Sequence, residues 1–134
     1  LDQFALQARS GIGAALLASG DIPGARAFFQ DLARDGADDP ILMAAANNGL
    51  ADADFLEGTN LKQAQLGFAR VAVTGTSAPD EHAKALYYLG RCAEALADAG
   101  KERSGRRSSL EYYKEVQDRY PGTRWARLAR ESLP

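Results

Sequence analysis

One short pattern recurs along the chain: a small residue followed four positions later by an aromatic ring. Ala25 precedes Phe29 in GDIPGARAFFQDLA (20–33), Ala64 precedes Phe68 in TNLKQAQLGFARVA (59–72), and Ser109 precedes Tyr113 in SLEYYKEV (109–116). Laying the first segment on the second also pairs Ile22 with Leu61 and Leu32 with Val71. The rings stand 39 and then 45 residues apart. A companion segment lies ahead of each ring. Ile12-Gly13 in GIGAALLASGD (11–21) matches Leu89-Gly90 in YLGRCAEALAD (88–98), whereas GLADADFLEGT (49–59) has Asp52 at the glycine position. Such a period is the mark of stacked structural repeats. A small residue lets two antiparallel helices approach closely, and a ring one turn away fills the space beside the contact. Each pair leaves apolar surface that only the next pair can cover.

Punctuation agrees with paired helices. Gly20-Asp21 interrupts the first helix, and Pro23 suits the first turn of the next, where a missing N–H costs little. GADDP (36–40) is a loop rich in N-cap candidates, Gly58-Thr59-Asn60 separates two further helices, and TGTSAPDE (74–81) breaks and recaps. GKERSGRRSS (100–109) reads as the longest polar break and YPGT (120–123) as the last. RVAVTG (70–75) continues a helical pattern and is a helix end, not a strand. About seven helices of roughly 10 to 20 residues follow, joined by short turns.

A chain of 134 residues is one domain by length, spanning 1–134, with 46% hydrophobic and 25% charged residues. No apolar run nears the roughly 20 residues that span a bilayer, so no membrane insertion is expected. The sequence opens on Leu1, as a mature or excised fragment would. A single cysteine, Cys92, excludes an internal disulfide and a cysteine-based zinc site. Charge is uneven: residues 1–60 hold three basic against nine acidic side chains, a net of −6, and residues 61–134 hold thirteen against nine, a net of +4.

Few residues suggest chemistry. His82, beside Asp80 and Glu81, reads as an exposed helix-cap histidine, with no nucleophile at a readable spacing. Cys92 reads as a small packing residue. Asp52 and Asp54 point to different sides of a helix, and Asp35, Asp38 and Asp39 lack calcium-site spacing. Gly11 and Gly13 follow no strand, so there is no dinucleotide fingerprint. Neither catalysis nor a cofactor is expected. Lys101, Arg103, Arg106 and Arg107 form a basic loop that could meet an acidic protein or a phosphate. Specific nucleic-acid binding is not expected, because the acidic half would repel a polyanion.

The pattern resembles the tetratricopeptide repeat, a helix pair of about 34 residues patterned W-x2-L-G-x2-Y, A-x3-F, then P. Ala25-x3-Phe29, Ala64-x3-Phe68, Leu89-Gly90, and Tyr113 followed by Pro121 carry the likeness. Arg9, Asn48 and Leu86 stand where that family has tryptophan, and about seven extra residues lie inside the third repeat. The likeness implies an all-α, right-handed superhelix of three antiparallel helix pairs (5–37, 41–76, 80–121) with a terminal capping helix (123–133). In YYKEVQDRYPGTRWARLARESL (112–133), the Tyr-Pro stop followed by Trp-Ala is similar to modules of bacterial envelope adaptors, among them outer-membrane assembly lipoproteins and Tol-Pal accessory proteins. That likeness favours a periplasmic or cell-envelope setting over a cytoplasmic one.

By the same likeness, the first helix of each pair lines a concave groove that binds a protein or peptide. Gln7, Ser10, Ala14 and Leu17, then Asn47, Ala53 and Leu56, then Lys84, Tyr87, Arg91 and Glu94 are expected on that face. Tyr87 is either a groove anchor or packed against its neighbouring helix. The carboxylate clamp of chaperone-binding members is not matched, since Ser10 and Ala14 stand at its first lysine and asparagine. The expected function is a non-enzymatic adaptor. The alternatives are an oligomerisation module that stacks through its terminal helix into a homo-oligomer, and a helical accessory domain of a larger enzyme. In the terminal helix, Trp125, Leu128, Ala129 and Leu133 should form an apolar stripe, with Arg124, Arg127 and Arg130 in water.

Overall fold

A computed structural model describes residues 3–134, with side chains at residue 5 and from 8 onward. The described residues form seven α-helices and no strand: α1 (Gln3–Ala18), α2 (Ile22–Asp35), α3 (Pro40–Glu57), α4 (Leu61–Thr74), α5 (Pro79–Asp98), α6 (Gly105–Arg119) and α7 (Arg124–Ser132). The boundaries follow local chemistry. Asp21 accepts a hydrogen bond from the Gly24 N–H, Asp39 from those of Ile41 and Leu42, Asn60 from Gln63, and Thr123 from Ala126. Each satisfies donors that a helix start would otherwise leave bare. Pro23, Pro40 and Pro79 occupy first-turn positions. Gly58 closes α3 at φ +75°, a left-handed conformation that a side chain resists.

Consecutive helices pack on one another. In addition α1 touches α3, α3 touches α5, and α5 touches α7, while the backbones of α2, α4 and α6 do not closely approach one another. The odd-numbered helices therefore form a continuous layer, and the even-numbered ones lie behind it as separate struts.

Between the layers, the small-and-aromatic pattern works as steric logic demands. A Cβ added to Gly13 would fall 2.2 Å from Cζ of Phe29, and one added to Gly90 would fall 2.4 Å from Cε1 of Tyr113. Gly49 of α3 leaves the same kind of room on another side of Phe29, where a Cβ would lie 2.4 Å from the ring. In the second pair, the close approach falls at Gly67 of α4, whose added Cβ would stand 2.8 Å from that of Ala51. Phe68 there stacks on Tyr88 of α5, with ring centroids 5.0 Å apart and planes at 11°.

Two expectations need correction. The break expected over 100–109 ends at Gly105, so Arg106 and Arg107 belong to the first turn of α6, not to a loop. Gly105 is there because α6 starts against α5: a Cβ would lie 2.3 Å from the Ala93 carbonyl oxygen and 2.8 Å from Cβ of Ala97. Second, His82 is a core residue, not an exposed cap. Its Nε2 meets the Ala72 carbonyl at 2.9 Å, and its Nδ1 meets the Tyr120 hydroxyl at 2.5 Å. A carbonyl can only accept, so Nε2 carries the proton, and in the neutral ring Tyr120 donates to Nδ1. The imidazole thus ties the end of α4 to the turn after α6.

That turn is short. Pro121 cannot donate to a continuing helix, and the Thr123 hydroxyl donates to the Tyr120 carbonyl at 2.8 Å while capping α7. Trp125, Leu128 and Leu133 then pack, partly buried, over the cluster built from Leu86, Tyr87, Tyr113, Val116 and Ala129.

Candidate functional site

The layer of odd-numbered helices frames a groove that holds two adjoining cavities. The first, of about 560 Å³, lies between Ser10, Gly11 and Ala14 of α1, Asp80, Glu81 and Lys84 at the start of α5, and Gly122 to Trp125. The second, of about 370 Å³, is bounded by Ala14, Leu17 and Ala18 of α1, by Asp52, Phe55 and Leu56 of α3, by Tyr88 and Arg91 of α5, and by Arg124. Ala14 and Arg124 belong to both.

Helical spacing explains the lining. Lys84, Tyr88 and Arg91 stand at i, i+4 and i+7 on α5, and Asp52, Phe55 and Leu56 at i, i+3 and i+4 on α3, so each set shares one face. Lys84 donates to Asp52 at 2.5 Å, and both side chains are largely shielded from water. Burial raises the Asp52 carboxyl, and Lys84 offsets this only in part. Burial alone would lower Lys84, but Asp52 and Glu81 outweigh it and hold the ammonium charged above its ordinary range. Asn48, buried on α3, fixes Glu81 by donating to its carbonyl and its carboxylate, each at 2.9 Å.

Cations and rings interleave around this pair. The Arg91 guanidinium lies 5.1 Å from the Phe55 ring centroid and 5.8 Å from that of Tyr88. Arg124 lies 4.8 Å over Trp125, and the Lys84 ammonium sits 5.8 Å from Trp125 and 5.9 Å from Tyr88. These separations fall within the roughly 6 Å range of cation–π attraction. Among the described residues, neither Arg91 nor Arg124 has a carboxylate within ion-pair distance, whereas Arg26 holds Asp54 and Glu57 at 2.6 and 2.7 Å.

The expected groove residues divide. Ser10, Leu17, Lys84 and Arg91 line the cavities, as do Ala14 and Leu56. Gln7 lies outside the residues whose side chains are described. Tyr87 is only 5% exposed and packs among Tyr113 and Trp125, so it is a core residue and its neighbour Tyr88 takes the groove position. Ala53 is fully buried and faces away from solvent. Asn47 borders neither cavity, and Glu94 lies beside Tyr113, whose phenol is raised first by burial and then by that carboxylate. Asp52, Phe55, Tyr88 and Arg124 are among the lining residues that sequence reasoning missed. The i, i+4 spacing from Lys84 to Tyr88 was the available signal. Arg124 is exposed and also lies over Trp125.

The other residues weighed for chemistry sit elsewhere. Lys101, Arg103 and Arg107 are exposed, and Arg106 pairs with Asp98. Cys92 is buried, and burial pushes its thiol up to about 12. Among the described residues, no group of three His, Cys, Asp or Glu side chains gathers where it could hold a metal ion, and no helix is long and apolar enough to cross a membrane. No family model, curated protein or solved structure matches the chain.

Proposed function

We propose that the chain is a non-enzymatic adaptor of the tetratricopeptide kind, which holds a peptide segment of a protein partner in the groove framed by α1, α3, α5 and α7. In this reading α1–α2, α3–α4 and α5–α6 are three repeats of a right-handed superhelix, and α7 caps the last. One observation carries it: the odd-numbered helices turn a common face, rich in aromatic and cationic groups, to a groove with room for side chains. Aromatic and arginine side chains are the usual anchors of protein interfaces. Service in a bacterial envelope rests on the likeness of the Tyr120-Pro121 stop and the Trp125-Ala126 restart.

An array of random decapeptides tests the groove. Wild-type chain should bind a subset of them, and Ala14→Phe, an exposed position shared by both cavities, should weaken those peptides at least tenfold with melting unchanged. Binding that is indifferent to Ala14→Phe, or no binding at all, refutes the proposal.

A second reading, self-association through the terminal helix, draws on a third cavity of about 520 Å³ between α6 and the end of α7. Leu110, Lys114, Gln117 and Leu133 line it, and Leu110 is exposed. Such a cleft suits a further helix. Light scattering across a concentration series decides this reading, which a strict monomer eliminates.

A further inference from the structure

Within the groove, charge is not spread evenly. Asp80 and Glu81 stand at the α5 start, the Lys84–Asp52 pair lies in the middle, Arg91 borders the cavity at the other end, and Arg124 borders both cavities. Three of the six groove charges, Asp52, Lys84 and Glu81, have partners inside the chain. Lys84 has Asp52, and Glu81 is held by Asn48. The two arginines lie over rings, and Arg91 also meets the Tyr87 phenol, but among the described residues neither has a carboxylate partner. A guanidinium stacked on a ring keeps its N–H donors, which lie in its own plane, free to meet an anion edge-on. Other arginines without a carboxylate partner, such as Arg127 and Arg130, line neither cavity.

Two of the walls around Arg91 and Arg124 are apolar, while Asp52 and Tyr88 line the same cavity. Leu17 lines the cavity from α1, and Leu56 of α3, 57% exposed, offers a large hydrophobic surface with nothing over it. An anion seated between the arginines would meet these apolar sides on its flank, with Arg124 open to solvent.

We infer that this end of the groove binds an acidic peptide segment, its carboxylate taken by Arg91 and Arg124 and an adjacent aliphatic side chain seated on Leu17 and Leu56. The inference rests on the groove reading above and names its ligand. A nucleic acid fits less well, because Asp52, Asp80 and Glu81 lie in the same groove and would repel a continuous polyanion, whereas one carboxylate meets two guanidiniums.

The test uses synthetic decapeptides with one glutamate beside one leucine in a glycine–serine background, and matched peptides with glutamine in place of glutamate. Emission from Trp125, the single tryptophan and part of the groove wall, reports binding. Glutamate peptides should bind about tenfold more tightly than their glutamine partners, a gap of the size expected for charge-assisted hydrogen bonds to guanidinium groups. Arg91→Gln and Arg124→Gln should each erase most of that preference, Arg130→Gln should keep it, and added salt should weaken only the glutamate peptides. Equal binding of both peptide kinds, or a preference that survives Arg91→Gln and Arg124→Gln, overturns the inference. If both kinds bind equally and Ala14→Phe abolishes both, the groove reading stands while this one falls. If neither kind binds, both fall. Displacement of a glutamate peptide by a short oligothymidylate at equal concentration also overturns it, in favour of nucleic acid.

Discussion

Gly90→Ala is the sharpest test of why the repeat pattern exists. The new methyl group would lie 2.4 Å from Cε1, 2.7 Å from Cδ1 and 3.0 Å from Cζ of Tyr113, a ring with no solvent exposure. Carbon atoms rest at roughly 3.5–4.0 Å, so α5 and α6 must separate by about 1 Å or the ring must leave its rotamer. Overpacking of this kind costs about 1–3 kcal/mol, while alanine regains about 1 kcal/mol of helix propensity over glycine. The net expectation is a loss of up to about 2 kcal/mol, which for a domain of this size lowers Tm by up to roughly 8 °C. Gly11→Ala is the control. Gly11 is also helical, but an added Cβ would meet nothing within 4 Å among the described residues, so the propensity gain of about 0.5–1 kcal/mol should stand alone and raise Tm. Urea melts followed by far-UV circular dichroism measure both. Combining Gly90→Ala with Tyr113→Leu should cost at least about 1 kcal/mol less than the sum of the two single changes, because the methyl no longer meets a ring. The steric account of the small-and-aromatic pattern fails if Gly90→Ala matches Gly11→Ala in sign, or if the double-mutant coupling is zero.

Two further expectations concern the core. Tyr120→Phe removes the hydroxyl that donates to buried His82 and leaves Nδ1 without a partner, at a cost of about 1–3 kcal/mol. Thermal melts should show the loss, and an unchanged Tm would mean that the His82–Tyr120 contact contributes nothing. Cys92, with its thiol pushed up to about 12 chiefly by burial, holds almost no thiolate at pH 8. Iodoacetamide should leave it unlabelled in the native protein and label it fully in urea, as read by intact mass, whereas rapid native labelling would show that α5 opens far more readily than its packing implies.

The fold was legible where local chemistry decides it. Asp21, Asp39, Asn60 and Thr123 cap the helices they precede, and prolines occupy first turns, so element order could be read from the chain. The start of α6 was misread because Gly105, Ser108 and Ser109 favour helix weakly. Only the nearness of Ala93 and Ala97 shows that a glycine is required there for packing. The candidate site was legible in part. Leu17, Lys84 and Arg91 were placed on the right side, but Tyr87 and Tyr88 differ by one position, and about 100° of helix rotation separates them. Which of the two enters the core depends on Tyr113 and Trp125, which lie on other helices.

By itself, then, the sequence determined that this chain is helical, how its helices are punctuated, and which small and aromatic positions bring α1 to α2 and α5 to α6. These depend on backbone capping, on proline and glycine geometry, and on residues a turn or one helix apart. Tertiary structure alone decided that His82 is a buried tie between Ala72 and Tyr120, that Asp52 pairs with Lys84, and that Arg91 and Arg124 border one cavity. Those outcomes depend on the rotation of each helix about its axis and on the curl that brings α1 opposite α7. Both are set by many weak contacts between helices far apart in the chain, and no short stretch of sequence records them.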